Sequence, residues 1–262
     1  MNNESEDLSR HYDDNFYSGQ APASYRSATI YARHLWQFIQ PHSVVDIGCG
    51  RGTWLKAFKE LGAKQLTGID GSWNSQEQMI DSDIDFVPAE LNHAIEIKGF
   101  YDLAISLEVA EHLDPNAADT FIRTITSLSD TILFGAAYPG QGGTNHINEQ
   151  LPSWWARRFI AKHYLPFDLF RPAFWGNADV KFWYRQNTFL YVRKGSAAFS
   201  SLLEHGLSQI TDIAFMDCVH PELHSRTIMR GRMGYKLRNI IRPLLPASVL
   251  RTIGRLRGGT SP

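Results

Sequence analysis

Two patterns of apolar residues alternate along the middle of the chain. Short runs that are apolar throughout indicate strands buried on both faces, and segments with apolar residues every three to four positions indicate amphipathic helices. Strands are predicted on this basis over 43–47, 65–69, 85–88, 101–106, 131–137, 168–171 and 188–193. Because helical segments separate most of them, we expect an α/β fold with a doubly wound, mostly parallel sheet that is covered on both faces.

The predicted helices begin and end at recognisable signals. They cover 25–39, 53–61 and 152–163, and a further helix opens at Asp114-Pro115. Pro41 and Gly62 follow the first two helices as stop signals, since neither residue type continues a helix well. Asp114 and Pro115 supply an N-cap and a first-turn proline.

This alternation divides the chain into three expected parts. Residues 1–40 form an N-terminal helical cap, residues 41–195 form the core that holds the sheet, and residues 196–262 form a C-terminal appendage. The appendage is weakly patterned at first and ends in a basic tail.

Charge is distributed unevenly along the 262 residues, although 43% hydrophobic and 20% charged residues are ordinary for a globular protein. The net charge of −1 hides the asymmetry, because residues 225–262 hold nine Lys and Arg and no Asp or Glu. The preceding residues therefore hold 17 basic and 27 acidic residues. The tail and the body are expected to attract different partners.

The basic tail is predicted to be amphipathic, because apolar residues lie between its charges, with interruptions near Pro243 and Pro246. Peripheral contact with an anionic membrane surface is one interpretation of this pattern. Attraction to nucleic acid is a second, and docking of the tail on the acidic body of the same protein is a third.

Cysteine content and hydropathy bear on the compartment. Cys49 and Cys218 are too few for a disulfide framework, and no set of Cys, His, Asp and Glu shows a diagnostic ligand spacing, so no metal site is predicted. The polar N-terminus lacks the pattern of a signal peptide, and no apolar run approaches the ~20 residues of a spanning helix. A cytoplasmic location is therefore expected.

The first predicted strand leads into a glycine-rich loop. Asp46 is followed by Gly48, Gly50 and Gly52 at alternate positions. Glycines at the carboxyl end of a strand let the backbone turn tightly and approach a ligand closely. The dinucleotide fingerprint would place its third glycine at Thr53, so this spacing favours a different nucleoside ligand.

Later segments extend the pattern. Asp70 ends the second strand, twenty residues after Gly50, and is suited to accept hydrogen bonds from both hydroxyls of a ribose. Glu90 follows the third strand, and residues 107–112 (Leu-Glu-Val-Ala-Glu-His) follow the fourth. Together with the glycine loop, these segments resemble the motifs of class I S-adenosylmethionine-dependent methyltransferases, over about residues 43–137.

The resemblance implies a Rossmann-like, seven-stranded sheet whose last strand is antiparallel, with S-adenosyl-L-methionine as the cofactor and methyl transfer as the activity. It implies that the cofactor is bound by Asp46, Gly48, Cys49, Gly50, Gly52, Asp70, Gly71, Glu90, Leu91, Leu107 and Glu108.

The methyl acceptor is expected after the fourth and fifth strands, at the same edge of the sheet. His146 and Glu149 lie in loop 140–150, which is similar to a loop of bacterial methyltransferases from polysaccharide and secondary-metabolite gene clusters. A neutral histidine can take the proton of a hydroxyl acceptor, so His146, His112 and Glu149 are the candidate catalytic residues. The alternatives are a structural His112 in the turn after strand four and a loop held by its own hydrogen bonds.

These features favour O-methylation of a sugar-containing or polyketide- or lipid-like small molecule, which is the expected partner. Residues 183–187 either line its pocket or serve as core aromatics and strand caps. Methylation of nucleic acid or protein is less favoured, because the core is acidic and residues 106–109 (Ser-Leu-Glu-Val) replace an Asn/Asp-Pro-Pro-Tyr motif. The third hypothesis is a scaffold protein that binds the cofactor without catalysing a reaction.

Overall fold

The computed structural model describes residues 14–95 and 97–229, with side chains from residue 22 onwards. The tail beyond residue 229 lies outside the described residues, and with it the predicted amphipathic segment around Pro243 and Pro246. The contacts that the sequence suggests for this tail therefore stay predictions.

Strands and helices alternate in the order that the apolar pattern predicts. The strands are β1 (Ser43–Ile47), β2 (Gln65–Asp70), β3 (Asp85–Pro88), β4 (Leu103–Leu107), β5 (Thr131–Gly135), β6 (Tyr164–Phe167) and β7 (Phe189–Arg193). The helices are α1 (Asp14–Leu35), α2 (Thr53–Leu61), α3 (Ala118–Leu128), α4 (Pro152–Ile160), α5 (Arg171–Phe174), α6 (Phe182–Asn187) and α7 (Ala197–Glu204). Residues 221–229 are also helical.

The seven described strands form one sheet in the order β3-β2-β1-β4-β5-β7-β6. Parallel pairing runs from β3 through β2, β1 and β4 to β5. The last strand, β7, is antiparallel to both β5 and β6. The predicted fold class, a mostly parallel, Rossmann-like sheet with an antiparallel last strand, is confirmed.

Both faces of the sheet are covered, as parallel strands require. Successive residues of β1 point to opposite faces. Val44 packs in one buried cluster with Tyr31 of α1 and Phe58 of α2. Val45 packs in the other cluster, which includes Phe121 of α3.

The strand predicted over 168–171 is wrong. The sheet takes Tyr164–Phe167 as β6 instead, and residues 171–174 form the short helix α5. Pro166 conceals this strand in the sequence, but β6 is the edge of the sheet, where a proline is tolerated. Asp168 closes the turn that follows, because its carboxylate accepts hydrogen bonds from the backbone N–H and the Nε of Arg171.

The first helix covers Asp14–Leu35 rather than 25–39. Its polar first half lacks apolar periodicity, so a pattern-based prediction misses it. The helix ends early because the N–H groups of Phe38 and Ile39 both bond to the carbonyl of Leu35, which tightens the last turn. The predicted helix 152–163 likewise ends at Ile160, before a turn in which His163 has a φ of 65°.

The chain divides into two compact units, residues 1–220 and residues 221–262. Within the first unit, Leu202 of α7 and Met216 belong to the buried clusters of the sheet. The domain boundaries expected at residues 40 and 195 stay predictions. Among the described helices, none is both long and apolar enough to cross a bilayer.

Candidate active site

A cavity of about 410 Å³ opens at the carboxyl edge of the sheet, where ligands of doubly wound proteins bind. Its volume is typical of pockets for small organic ligands. The predicted site residues in its wall are Gly48, Cys49, Gly50, Asp70, Glu90, Leu91, Leu107, Glu108, His112 and His146. The other predicted site residues, Asp46, Gly52, Gly71 and Glu149, are not part of this wall.

Only glycine fits at the two ends of the glycine loop, Gly48 and Gly52. Gly48 has a φ of 81° and Gly52 a φ of 79°, which other residues rarely adopt. A Cβ at Gly48 would lie 2.3 Å from a methyl group of Val109, and one at Gly52 would lie 2.7 Å from Ile84. The loop is therefore packed against the turn after β4, and Gly52 starts α2.

Asp70, at the end of β2, is fixed by two backbone amides. Its Oδ2 accepts a hydrogen bond from the N–H of Gly50 at 2.7 Å, and its Oδ1 accepts one from the N–H of Gly71 at 2.7 Å. The Trp73 side chain also hydrogen-bonds to this carboxylate. Ribose hydroxyls would use the acceptor positions that these groups leave open. Burial raises the pKa of Asp70 to about 6, although these amides favour the charged form.

Trp73 is a wall residue that the sequence reasoning missed. A Cβ added at Gly71 would lie 2.2 Å from its ring, so the indole packs directly over this glycine. The only signal in the sequence is an aromatic residue three positions after the acid that ends β2. The ring offers a flat apolar surface beside Asp70, suited to a purine.

Glu90 and Leu91 form the wall beyond β3. The Glu90 carboxylate accepts hydrogen bonds from the backbone N–H and the Nδ2 of Asn92, at 3.3 and 3.2 Å. Leu91 is buried, whereas Glu90 is exposed at the cavity mouth. This placement agrees with the predicted role of Glu90 in cofactor binding, which stays a prediction.

Asp46 and Cys49 lie deeper than the sequence predicts for ligand-binding side chains. Burial, with the nearby charge of Asp70, raises the pKa of Asp46 well above its usual range. Burial also raises the pKa of the Cys49 thiol. Cys49 nevertheless lines the cavity wall, with its side chain buried.

Glu108 is held in an unusual backbone conformation after β4, with a φ of 58°. A residue keeps such a strained backbone conformation only where contacts with neighbouring groups hold it in place. Its Oε1 accepts a hydrogen bond from Asn187 at 2.8 Å, and its Oε2 accepts one from Gln141 at 2.7 Å. Burial raises the pKa of Glu108 to about 7. The side chain thus joins α6 and the loop after β5 to the cavity wall.

His146 and Glu149 form a hydrogen-bonded pair within the loop after β5. The distance from His146 Nδ1 to Glu149 Oε1 is 2.8 Å. The same carboxylate accepts hydrogen bonds from the N–H groups of Gly140 and Gly142, each at 2.7 Å. Burial opposes ionisation of Glu149, but the bonds from His146 and these amides prevail and hold its pKa below the usual value.

His112 lies beside this pair. Its ring and that of His146 meet edge to face, with centroids 4.8 Å apart. Its Nδ1 lies 3.3 Å from the carbonyl oxygen of Asn145, a residue of the same loop. Burial and the proximity of His146 lower the pKa of His112 to about 4. The structure thus brings together all three predicted catalytic residues.

An aromatic surface closes the cavity near α2. Trp54, Trp183 and Tyr184 lie in the wall, and the rings of Trp54 and Tyr184 are 5.2 Å apart. The Tyr184 hydroxyl lies 3.3 Å from the hydroxyl of Ser24, which α1 brings to the same wall. Sequence reasoning missed Ser24 and Trp54, because neither follows a strand end.

Segment 183–187 combines the two roles that the sequence left open. Trp183 and Tyr184 line the cavity. Gln186 and Asn187 are buried instead, where Gln186 donates a hydrogen bond to the carbonyl of Cys218 and Asn187 bonds to Glu108.

The comparisons with known proteins fit this geometry. A family model described as a methyltransferase domain matches residues 18–175, more than half of the chain. The chain belongs to this methyltransferase family. The predicted enzyme class, a methyltransferase, is confirmed.

Two solved structures of low sequence identity resemble this chain. An O-methyltransferase family protein from Burkholderia thailandensis is 16% identical, with a TM-score of 0.53 over 70% of this chain and 60% of that one. The methyltransferase domain of bacterial CtHen1-CN is 18% identical, with a TM-score of 0.47 over 64% of this chain and 97% of that one. At 16% identity the likeness to the Burkholderia thailandensis protein extends to the fold alone. No curated protein matches the chain in sequence.

Proposed function

We propose that this methyltransferase transfers the methyl group of S-adenosylmethionine to a hydroxyl oxygen of a sugar-containing or polyketide- or lipid-like small molecule. One observation carries the proposal. The His146–Glu149 pair belongs to the same edge of the sheet as Asp70, and His146 and Asp70 line one continuous cavity. The chain therefore offers a cofactor end and an acceptor end that face one space.

The cofactor end supplies a fixed position for the methyl donor. The sulfonium group already activates the methyl for displacement, so the protein's main contribution is alignment with the incoming oxygen. Asp70 and the backbone of Gly50 are pre-organised by their own hydrogen bond, and little ordering remains to be done when the cofactor binds.

The acceptor end supplies a group that can orient or deprotonate a hydroxyl. When Nδ1–H of His146 donates to Glu149, the Nε2 of the same ring is the atom that accepts a proton. An oxygen acceptor needs this help more than a thiolate or an amine at neutral pH, because its pKa is higher. This difference favours oxygen as the methylated atom.

The other residues of the cavity wall suit the part of the acceptor that surrounds the reacting hydroxyl. Trp183 and Tyr184 provide aromatic faces that pack against sugar rings or apolar chains, and the Gln141 amide lies in the wall beside them. Such a mixed surface is typical of pockets for small organic molecules rather than of a groove for a polymer.

The decisive experiment incubates the full chain with radiolabelled S-adenosylmethionine and fractionated extracts of its native cell, and identifies labelled products by mass spectrometry. We expect label in a small-molecule fraction as an O-methyl ether. Label in nucleic acid or protein instead would contradict the proposal, and tight cofactor binding without any product would favour a scaffold.

The variant His146→Ala tests the acceptor end. We expect turnover to fall about a hundredfold, the usual size of a lost proton-transfer or orienting group, with unchanged affinity for S-adenosylhomocysteine. His93→Ala is the matched control, since His93 is exposed and outside the cavity wall, and it should behave as the unchanged protein. Unchanged turnover of His146→Ala would remove this residue from the mechanism.

A further inference from the structure

Glu111, His112 and His146 bring three potential ligand atoms together at the acceptor end of the cavity. One carboxylate oxygen and one ring nitrogen from each histidine lie within 4.8 Å of one another. Glu111 and His112 occupy one tight turn after β4, and the loop after β5 carries His146 to them. The sequence shows no ligand spacing here, because 34 residues separate the two histidines.

Glu111 is the most unusual member of this cluster. The residue is 0% exposed, and neither carboxylate oxygen makes a hydrogen bond of normal geometry to a described group. Its own N–H and that of Ala137 lie close enough to offset part of the cost of burying this carboxylate. The charged groups that affect it most, Glu108 and Glu149, are also carboxylates. A buried carboxylate in these surroundings is costly unless a cation or a proton joins it.

Each histidine ring makes a contact through Nδ1, which leaves Nε2 as the atom that metal-bound histidines often use as the ligand. His146 contacts the Glu149 carboxylate through Nδ1 at 2.8 Å, and His112 contacts the Asn145 carbonyl through Nδ1 at 3.3 Å. Carboxylate and carbonyl partners of this kind fix the ring and increase the basicity of the other nitrogen. Both rings are therefore oriented before any ligand arrives.

Gly143 packs directly against the ring of His146. A Cβ added to this glycine would lie 2.2 Å from Nε2 of His146, so any larger residue would press on the ring. The absence of a side chain at Gly143 therefore lets the loop hold the His146 ring in place.

We propose that Glu111, His112 and His146 bind a divalent transition-metal ion. Two imidazoles and one carboxylate suit Mn²⁺, Fe²⁺, Co²⁺ or Zn²⁺ better than Mg²⁺ or Ca²⁺, which prefer oxygen ligands. Two ligands at about 2.1 Å from one ion are at most about 4.2 Å apart, so the cluster closes by roughly half an ångström on binding. Three protein ligands leave open positions on the ion.

The consequence for the acceptor rests on the proposed function. An open position accepts the acceptor's hydroxyl oxygen, and the ion lowers the pKa of that hydroxyl so that its proton passes to solvent. The methyl group then moves from the sulfonium to the oxygen, and the cofactor leaves as a neutral thioether. Two open positions favour an acceptor with two adjacent oxygens, such as a vicinal diol or a catechol. His146 is then a ligand that orients the acceptor.

The test measures metal binding without any acceptor. The full chain is stripped with a chelator and titrated with Mn²⁺, and free Mn²⁺ is followed by electron paramagnetic resonance. We expect one ion per chain, and at least a tenfold weaker affinity for Glu111→Gln and for His146→Ala. His93→Ala should bind as the unchanged chain does. Absence of a stoichiometric ion, or equal binding by all variants, would overturn the proposal.

Two further measurements keep the test decisive. Binding of S-adenosylhomocysteine by each variant shows that its cofactor end is intact, so lost metal binding is not lost folding. Co²⁺ in the unchanged chain should give the visible absorption bands of histidine-coordinated cobalt, and Glu111→Gln should weaken them. A spectrum of hydrated Co²⁺ in the unchanged chain would contradict the site.

The metal site and the proposed function can fail separately. Metal binding with label found only in protein or nucleic acid would keep the site and reject the function. Full O-methyl transfer by chelator-treated enzyme would keep the function and reject the site, and His146 would then act as the base.

Discussion

At the scale of single residues, Asp70 shows how burial and hydrogen bonding prepare a group for a ligand. Its carboxylate is nearly out of water, and the amides of Gly50 and Gly71 offset part of that cost. Ribose hydroxyls would offset more, because they donate to the charged form. The pKa of this side chain should therefore fall when the cofactor binds.

Affinity for S-adenosylhomocysteine should depend on pH through Asp70. In the cofactor-free chain its pKa is about 6 against a usual 3.8, so the folded state holds this proton more tightly than the unfolded state does. The group's contribution to stability therefore falls as pH rises from about 4 to about 6. Cofactor binding needs the ionised form, so Kd should rise about tenfold for each pH unit below 6.

Isothermal titration between pH 5 and pH 8 measures this dependence. The variant Asp70→Asn is the control, since it keeps the shape of the side chain and cannot ionise. We expect it to bind weakly and with little dependence on pH. A steep pH dependence that survives in Asp70→Asn would assign the titration to another group.

At the scale of elements, local signals account for what the sequence predicts well. β1, α2 and β3 have the predicted bounds, because the apolar run, the loop glycines and Gly62 all act within a few residues. The pattern does not predict the strand β6, because it contains Pro166. A proline is tolerated there only because β6 lies at the edge of the sheet. Position in the sheet is a property of the fold and not of the segment.

The turn after β1 offers a test at this scale. Gly48→Ala introduces a Cβ that would lie 2.3 Å from Val109, at a backbone φ of 81°. Strain and overpacking together should lower the free energy of unfolding by about 2–4 kcal/mol and weaken cofactor binding. Gly176→Ala is the matched control, because no atom lies within 4 Å of its added Cβ. Chemical denaturation of both variants measures the difference, and equal stabilities would show that the loop can move away from Val109.

At the scale of the whole molecule, the two ends of the cavity differ in how they are encoded. The cofactor end comes from strand ends between Gly48 and Glu108, so motif order in the sequence predicts it. The acceptor end joins Ser24 of α1, the loop that carries His146, and Tyr184 of α6. Only folding brings these together, which is why Ser24, Trp54 and the cluster around Glu111 are not predicted, whereas residues 183–187 are predicted as one of two alternatives for the pocket wall.

The basic tail gives the last prediction. Each described residue that lines the cavity falls between Ser24 and Tyr184, so a chain that ends at His224 should bind S-adenosylhomocysteine with the affinity of the full chain. Co-sedimentation with vesicles that contain anionic lipid compares the same two proteins. If the nine basic residues after 224 contact membranes, the full chain alone should sediment, and high salt should release it. Equal sedimentation of both would exclude the tail as a membrane-binding segment and leave attraction to nucleic acid and docking on the acidic body as the remaining interpretations.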